Sequence, residues 1–513
     1  MQQQSCALQV PQEQVPQTGA IGRAFSLALL VAVNAHAESP IQLAQLDTEL
    51  QRLVQAGLIE PQGSDEHRLY VFKHALVRDA AYQSLLERDR RRLHASIATV
   101  MRAQFPALVA QQPELLAQHL EWAGQIAEAL AAWERAARFA AQRSAHDEAI
   151  AHLQHALALL ARQDAHAERD RMELRLQLLL ASRFIATQGY GADRVEAVYN
   201  RALVLAQALG DAGSLTKARL GLEGWHFMRG NFAQAHAIAR DVAASLGPTP
   251  EPLAQIQSTW ALANIIFHQG EVTQAVLLMD QCLAAYQRLG HRPGAVQDPG
   301  VMCLCYSSWA LWELGAADQA LQRARRVVDL AEGLNHPFSI GEAHGFLAVA
   351  HYFRGETEPG LRAAKRAIEV CEAGGFAVWL AHAKVVHGRL VAQAGDIEAG
   401  LEEMRQGDAM WAATGAVVTR PFYTVLRAEG LALAGRPDEA LALLDEAWAL
   451  VQRFGERYYE PELRRCIGEL TLRSSQRGGA AAAEPWLQGA LDSARAIGLR
   501  GLALRAACSL GRL

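Results

Sequence analysis

Residues 352–375 read YFRGETEPGLRAAKRAIEVCEAGG, and the spacing of five residues in this stretch decides the fold. Taking Gly355 as the origin, an aromatic (Tyr352) stands three residues before it and a small residue (Gly360) five after it. Another small residue (Ala367) follows twelve after the origin, and a second glycine (Gly375) twenty after it. The same pattern recurs around Gly230, Gly270, Gly315, Gly395 and Gly435, and more loosely around Gly478, at a spacing close to 40 residues. A fixed period of this size marks a solenoid. Each origin glycine is followed by four mostly polar residues and then Ala or Gly, which predicts a tight turn opening a helix. The aromatic place holds Phe227, Phe267, Trp312 and Tyr352 before giving way to Ala392 and Ala432. Small residues at the two later places, such as Ala275 with Cys282 or Gly400 with Gly407, let antiparallel helices approach closely while the aromatic fills the gap. The second glycine (Gly290, Gly375, Gly415, Gly455, Gly498) stands where a helix C-cap with φ > 0 is needed.

Helix, tight turn, helix, stop is a unit that resembles the tetratricopeptide repeat, lengthened from the usual ~34 residues. Working toward the N-terminus, AGQIAEA near Gly124 and SAHDEA from Ser144 keep the style, and helix-rich sequence runs from about residue 74 onward. The expected fold class is all-α, a superhelix of tetratricopeptide-like pairs over 88–513, preceded by a small winged-helix-like unit over 19–87 and a disordered segment over 1–18. In that smaller unit, 24–36 and 41–57 read as amphipathic helices, the second with Leu43, Leu46, Leu50, Leu53 and Val54 at helical spacing. LIEPQGSDEHRLYVF reads as two strands around a polar turn. A helix is expected from His74, with Leu76, Ala80, Leu86, Leu93 and Ile97 on its apolar stripe and Arg88, Arg90, Arg91 and Arg92 near its C-terminal break.

Composition narrows the function classes. The net charge of −5 offers polyanions no general foothold. The second helix of the winged-helix-like unit sets Asp47 and Glu49 against Arg52, whereas a recognition helix should be basic. Seven scattered cysteines, Cys303 and Cys305 among them, read as reduced packing thiols of a cytoplasmic protein. AFSLALLVAVNAHAESP (24–40) has the outline of a signal peptide but lacks a basic n-region, and 22 mostly polar residues precede its Arg23. No apolar run reaches the length that spans a bilayer.

Several segments carry a wider resemblance: GAIGRAFSLALLVAV, YVFKHALVRDAAYQSLL, RRRLHASIA, PELLAQHLEWAGQIAEALAAWERAA and IATQGYGADRVEAVYNRALVLAQALGD. Together they are similar to the region downstream of the nucleotide-binding domain in bacterial signal-transduction ATPases of the STAND type, above all those fused to class III adenylate or guanylate cyclases. The resemblance implies a winged-helix segment that packs on the ATPase and a repeat array that senses or docks. A P-loop ends in Gly-Lys-Ser/Thr, yet none of the four lysines (Lys73, Lys217, Lys365, Lys384) follows a glycine. Nor does a β-sheet domain with paired metal-binding aspartates stand out. The stretch is expected to be the sensory part of such a protein, encoded apart from its engine or left by truncation.

The candidate partner-binding residues are Trp225, Trp309 and Trp379, on first helices that line the concave face of such arrays, with His344 and His351 seven apart on one helix. The candidate coupling joint is His74, Arg78, Arg90, Arg91 and Arg92, placed to meet acidic groups of an ATPase partner. His146, His152 and His155 do not converge as metal-ligand spacing requires. No cofactor, metal or catalytic residue is expected. The function expected is a non-catalytic scaffold for a protein, peptide or small effector, with an ATPase or cyclase as downstream partner. The rivals are a DNA-binding regulator and an enzyme with a dispersed active site.

Overall fold

The computed structural model describes residues 20–21, 24–37, 40–63, 68–74, 78–79, 82–247, 251–290, 297–477 and 479–513. The expected disorder of 1–18, the apolar positions Leu76 and Ala80, and the looser turn at Gly478 lie outside the described residues. The chain divides into two compact units, Met1–Asp164 and Ala165–Leu513.

Unit 1 opens with strand β1 (Ala24–Ser26), helices α1 (Leu27–Ala35) and α2 (Leu43–Gln55), and strands β2 (Ile59–Gln62) and β3 (Leu69–Phe72). The sheet is antiparallel in the order β1-β3-β2, with Phe25 opposite Tyr70 and Ile59 opposite Phe72. Residues 24–36 are therefore not one helix. Ser26 ends the strand and caps α1, its hydroxyl accepting the Leu29 N–H at 3.1 Å, while Phe25 turns inward against Tyr70 and Phe72. The leader-like run supplies core side chains, including Phe25, Leu30 and Val33. On α2, Leu46, Leu50 and Leu53 are buried, but Leu43, at the first turn, is exposed.

The arginine cluster also differs from expectation. His74 lies outside any helix, and a new helix, α3 (Glu87–Gln104), starts after Leu86. Arg88 and Arg90–92 thus occupy its N-terminal turns, where the helix dipole disfavours cations and favours the Glu87 and Asp89 that share those turns. The unit continues through α4 (Pro106–Gln111), α5 (Pro113–Trp122), α6 (Ile126–Gln142) and α7 (His146–Leu160).

Unit 2 pairs α8 (Ala167–Gln188) with α9 (Asp193–Leu209), α10 (Ala212–Met228) with α11 (Phe232–Ser245), and α12 (Pro252–His268) with α13 (Val272–Leu289). It then pairs α14 (Pro299–Glu313) with α15 (Ala317–Leu334), α16 (Pro337–Arg354) with α17 (Thr357–Gly374), and α18 (Ala377–Ala394) with α19 (Ile397–Ala413). Last come α20 (Arg420–Leu433) with α21 (Pro437–Phe454), α22 (Glu460–Arg473) with α23 (Ala480–Ala496), and α24 (Arg500–Leu510). The turn glycines from Gly230 to Gly435 and the stop glycines all have positive φ, the conformation that the missing Cβ permits. The small positions are buried throughout, from Ala235 and Val242 to Ala483 and Ala490.

Among the described residues, one stop position carries no glycine. Asn335 takes the left-handed conformation there, with φ 49 and ψ 42, and asparagine is the non-glycine residue that tolerates it best. Asn335→Val is expected to lower unfolding stability by about 1–2 kcal/mol and Asn335→Gly to leave it level or raise it. Urea unfolding of the two variants checks this, and equal midpoints would contradict it.

Successive windings of unit 2 touch. The Val417 N–H donates to the Met228 carbonyl at 2.8 Å, and the Arg457 N–H to the His268 carbonyl at 2.7 Å. Each bond joins the end of a first helix to the loop after a much later second helix. Gly501 lies equally close to the end of α14, where any Cβ would meet the Trp312 carbonyl oxygen at 2.6 Å. These contacts bring the inward faces of the first helices together.

Candidate functional site

Counting back from each turn glycine, the positions 13, 9, 6 and 2 residues earlier share one helical face, because side chains three and four apart are neighbours. On α14 these are Met302, Tyr306, Trp309 and Glu313; on α16, Glu342, Phe346, Val349 and Phe353. On α18 they are His382, Val386, Arg389 and Gln393. These rows meet in the interior of unit 2. The ring of Trp309 lies 4.5 Å from Phe422, 5.6 Å from Tyr458 and 5.8 Å from Phe346, between centroids. Tyr306 stands 5.0 Å from Phe346 and 5.7 Å from His268, and Phe346 stacks on His382 at 5.4 Å. Aromatic rings from five first helices thus fill the concave side.

Polar groups inside this face fall into two sets. The first is fully paired. Glu429 accepts the Tyr352 hydroxyl at 2.6 Å and the Arg389 Nε–H at 2.9 Å, Arg389 reaches Gln393, and Gln393 donates to the Thr357 hydroxyl. Nearby, buried Glu462 takes Arg465 at 2.6 Å and Arg505 at 2.8 Å. Burial alone would raise the Glu462 pKa, but the two guanidinium groups hold it down at about 2. Glu456 accepts the Thr419 N–H at 2.8 Å and stands 4.0 Å from His268 Nε2.

The second set is buried with no hydrogen-bond partner among the described residues: both oxygens of Glu342, Asn264 Oδ1, and the indole N–H group of Trp379. Glu313 and Glu342 are fully buried, and removal from water pushes both carboxyls well above their ordinary pKa. The Trp309 indole beside Glu313 offsets part of that cost. Buried polar atoms without partners are rare in native interiors, and each calls for a reason.

The predicted partner-binding residues separate accordingly. Trp309 is on the inward face, but at 3% exposure it is a core side chain, and Trp379 (4%) is likewise packed, against Phe338, Phe346 and His382. Trp225 is buried beside His226 and under Arg229. None of the three offers an open groove surface, because the windings close over the concave side. His344 and His351 share a helix face, yet that face meets the neighbouring second helix and turn. His344 Nε2 reaches Glu332 at 3.3 Å and His351 Nδ1 reaches Glu356 at 2.7 Å. The inward histidines are His268 and His382, which the count back from the turn glycine would have found.

In the joint, Arg78 is held by Asp79, Arg91 pairs with Glu87 at 2.6 Å, and Arg90 stands over the Tyr82 ring at 5.4 Å. Arg92 and His74 are exposed. Beneath them runs a chain that sequence reasoning missed. The Tyr82 hydroxyl meets His94 Nε2 at 2.9 Å, and His94 Nδ1 meets His119 Nδ1 at 2.9 Å. Burial lowers the pKa of His94 to about 4 and of His119 to about 3, so both rings are neutral and share one proton between the facing nitrogens. Among the described residues, two groups have metal-ligand spacing: Glu114, Glu148 and His152, where Arg143 already lies 3.6 Å from Glu148, and Glu429, Glu462 and Cys466, whose acids already hold arginines.

No family model matches the chain. An uncharacterized protein of Rhizobium meliloti (strain 1021) is 24% identical over 451 residues, 86% of this chain and 43% of its own length. The chain therefore spans less than half of that relative. Among solved structures, a Rap protein complexed with competence and sporulation factor superposes with a TM-score of 0.51 at 14% identity, over 73% of this chain and 99% of that one. A STAND protein with a tetratricopeptide repeat sensor from Pyrococcus horikoshii gives a TM-score of 0.36 at 10% identity, over 94% of this chain and 63% of that one. The Rap likeness shows the fold: unit 2 is a helical repeat solenoid of the tetratricopeptide kind.

Proposed function

We propose that the chain is a non-catalytic docking scaffold of the cytoplasm. A protein or peptide is received on the inward face of α12–α20, and its arrival is passed to a signalling ATPase or nucleotide cyclase. One observation carries the reading: that face combines aromatic walls with buried polar atoms that have no partner among the described residues. Docking there competes with the contacts between windings. A ligand that binds the opened superhelix better than the closed one shifts the balance by that difference in affinity, breaking the Val417–Met228 and Arg457–His268 bonds. No helix among the described residues is long and apolar enough to cross a membrane.

Unit 1 supplies the output side of this reading. Its order of strand, two helices and two strands, with β1 beside β3, is the arrangement expected of a winged helix. The second helix is poorly suited to DNA, since Arg52 is drawn to Glu49 at 2.7 Å and Gln51 to Asp47 at 2.8 Å. The exposed part of the joint, with His74 and Arg92, is the surface offered to an ATPase.

The test is nucleotide turnover by the purified chain, alone and mixed with ATPase-domain and cyclase-domain proteins from the same genome. The chain alone is expected to be silent and to change a partner's rate. Hydrolysis by the chain alone, or no effect on any such partner, would overturn the proposal. Salt-sensitive binding to duplex DNA would favour the regulator reading instead.

A further inference from the structure

Glu342 is the least accounted-for charge-bearing side chain in the inward face. It is fully buried, and among the described residues neither oxygen accepts a hydrogen bond and the one charged group acting on it is another acid, Asp298. Asp298 is itself buried but well supplied, accepting the Tyr286 hydroxyl at 2.5 Å and the N–H groups of Gly300 and Val301 at 2.9 and 3.0 Å. Glu342 has no such donors. Its helix neighbours one turn away, Phe338 and Phe346, both contact the ring of Trp379, whose indole N–H is buried and also has no acceptor. Tyr306 packs on Phe346 from α14. The surroundings are thus a carboxyl without a counter-ion among the described residues, a second carboxylate near it, and aromatic rings on the sides. Tyr190 also acts on Glu342; it is joined to Gln297 at 2.7 Å, and both are only partly buried.

That chemistry suits one kind of group. An ammonium or guanidinium is held by a carboxylate through charge-assisted hydrogen bonds and by aromatic faces through cation–π attraction, and both strengthen away from water. An anion would meet Glu342 and Asp298 with the wrong sign. A purely apolar group would leave the carboxyl unsatisfied.

We propose that Glu342 is the anchor for a cationic group on the ligand of unit 2, an ammonium or guanidinium seated between Glu342 and the rings of Tyr306, Phe346 and Trp379. This assignment rests on the docking reading above and names the chemistry of what docks. The cation belongs either to a peptide side chain or to a small free amine, and the two sources bind the same atoms.

The experiment uses the full chain with three probes: agmatine, the blocked peptide acetyl-Ala-Leu-Arg-Leu-Ala-amide, and the same peptide with citrulline in place of arginine. Binding is read by calorimetry and by the shift of the thermal midpoint. At least one of the two cationic probes is expected to bind, the tighter one marking the source, while the citrulline peptide binds at least tenfold more weakly than its arginine twin. Glu342→Gln keeps the side-chain shape and the fold, checked by circular dichroism, and is expected to weaken the cationic probe at least tenfold. The exposed-site control Glu358→Gln, at a side chain 79% exposed, is expected to change nothing. Failure of both cationic probes to bind, equal binding of citrulline, or unchanged affinity in Glu342→Gln would overturn the assignment. The docking proposal fails separately: a chain that alters a partner's turnover yet ignores both cations keeps that reading and loses this one.

Discussion

Gly400→Ala is expected to cost about 3 kcal/mol of unfolding free energy, the upper part of the range for overpacking a close contact. The reason is the kind of atom a methyl group would strike. A Cβ on Gly400 meets the carbonyl oxygen of Gly388 and, at 2.6 Å, the backbone nitrogen of Ala392. The contact is reciprocal, since a Cβ on Gly388 meets the Gly400 carbonyl oxygen at 2.6 Å, and one on Gly407 meets the Ala381 carbonyl oxygen at 2.8 Å. Side chains can rotate out of a clash, but helix backbone cannot. Helices α18 and α19 would have to separate along the face that buries Leu390 and Met404. Because a solenoid is held by interfaces between neighbours, the separation would also loosen α17 and α20. The comparison variant is Gly355→Ala, whose Cβ meets nothing within 4 Å and whose cost is the left-handed backbone alone, about 1–2 kcal/mol. Urea unfolding of both decides the matter. A Gly400→Ala midpoint no lower than that of Gly355→Ala would show that the helix pair yields more readily than its geometry implies.

That same helix pair shows why so much of the array was legible. Glycine at Gly395, Gly400 and Gly407 is demanded twice over, by left-handed backbone at the first and by close approach at the other two, and both demands leave a fixed spacing in sequence. β1 left no such trace. Its three residues sit inside an apolar run and become a strand only because Phe25 pairs with Tyr70 across the sheet, a tertiary fact. The start of α3 was readable, since Glu87 and Asp89 are the acidic first-turn residues that mark a helix N-terminus, but the run of arginines drew attention to a C-terminus instead. In the site, aromatic content pointed to Trp309, which does lie on the inward face. Glu313, Glu342 and His382 were hidden because single charged or imidazole residues within apolar helices carry no motif. Only their register, counted back from the turn glycine, gives them away.

Those hidden acids give the second large effect, a loss of stability in unit 2 as pH rises from about 6.5 to 8. Burial raises the pKa of Glu223 and Glu456 to about 8 and that of Glu313 and Glu342 well above 4.5. In the unfolded chain the same carboxyls ionise near 4.5, so above that pH the unfolded state binds fewer protons and stability falls with rising pH. The full contribution is present below 4.5 and is lost as pH rises, on the way up to about 8 for Glu223 and Glu456, at a limiting slope of about 1.4 kcal/mol per pH unit per group. Histidine works the other way. His268 and His382, lowered to about 4, protect the fold above pH 6.5 and weaken it as pH falls toward 4. Between 4.5 and 6.5 the two effects oppose each other, so the acids dominate above that window. Glu456 is faced by His268, the Thr419 N–H and Tyr306, Tyr423 and Tyr458; Glu342 is faced by Asp298, Tyr190, Tyr306, Cys305 and Cys371. Among the described residues, neither set brings a permanent cation that would hold the charge in place. Glu342→Gln substitutes a neutral group of the same shape, so it is expected to raise the thermal midpoint at pH 8, leave it almost unchanged at pH 5, and flatten the profile between. A wild-type midpoint that is level or rising from pH 6.5 to 8 would mean that these carboxyls ionise inside the fold, as would a Glu342→Gln curve that runs parallel to it. Either result would require water or a cation to reach the inward face in the closed superhelix.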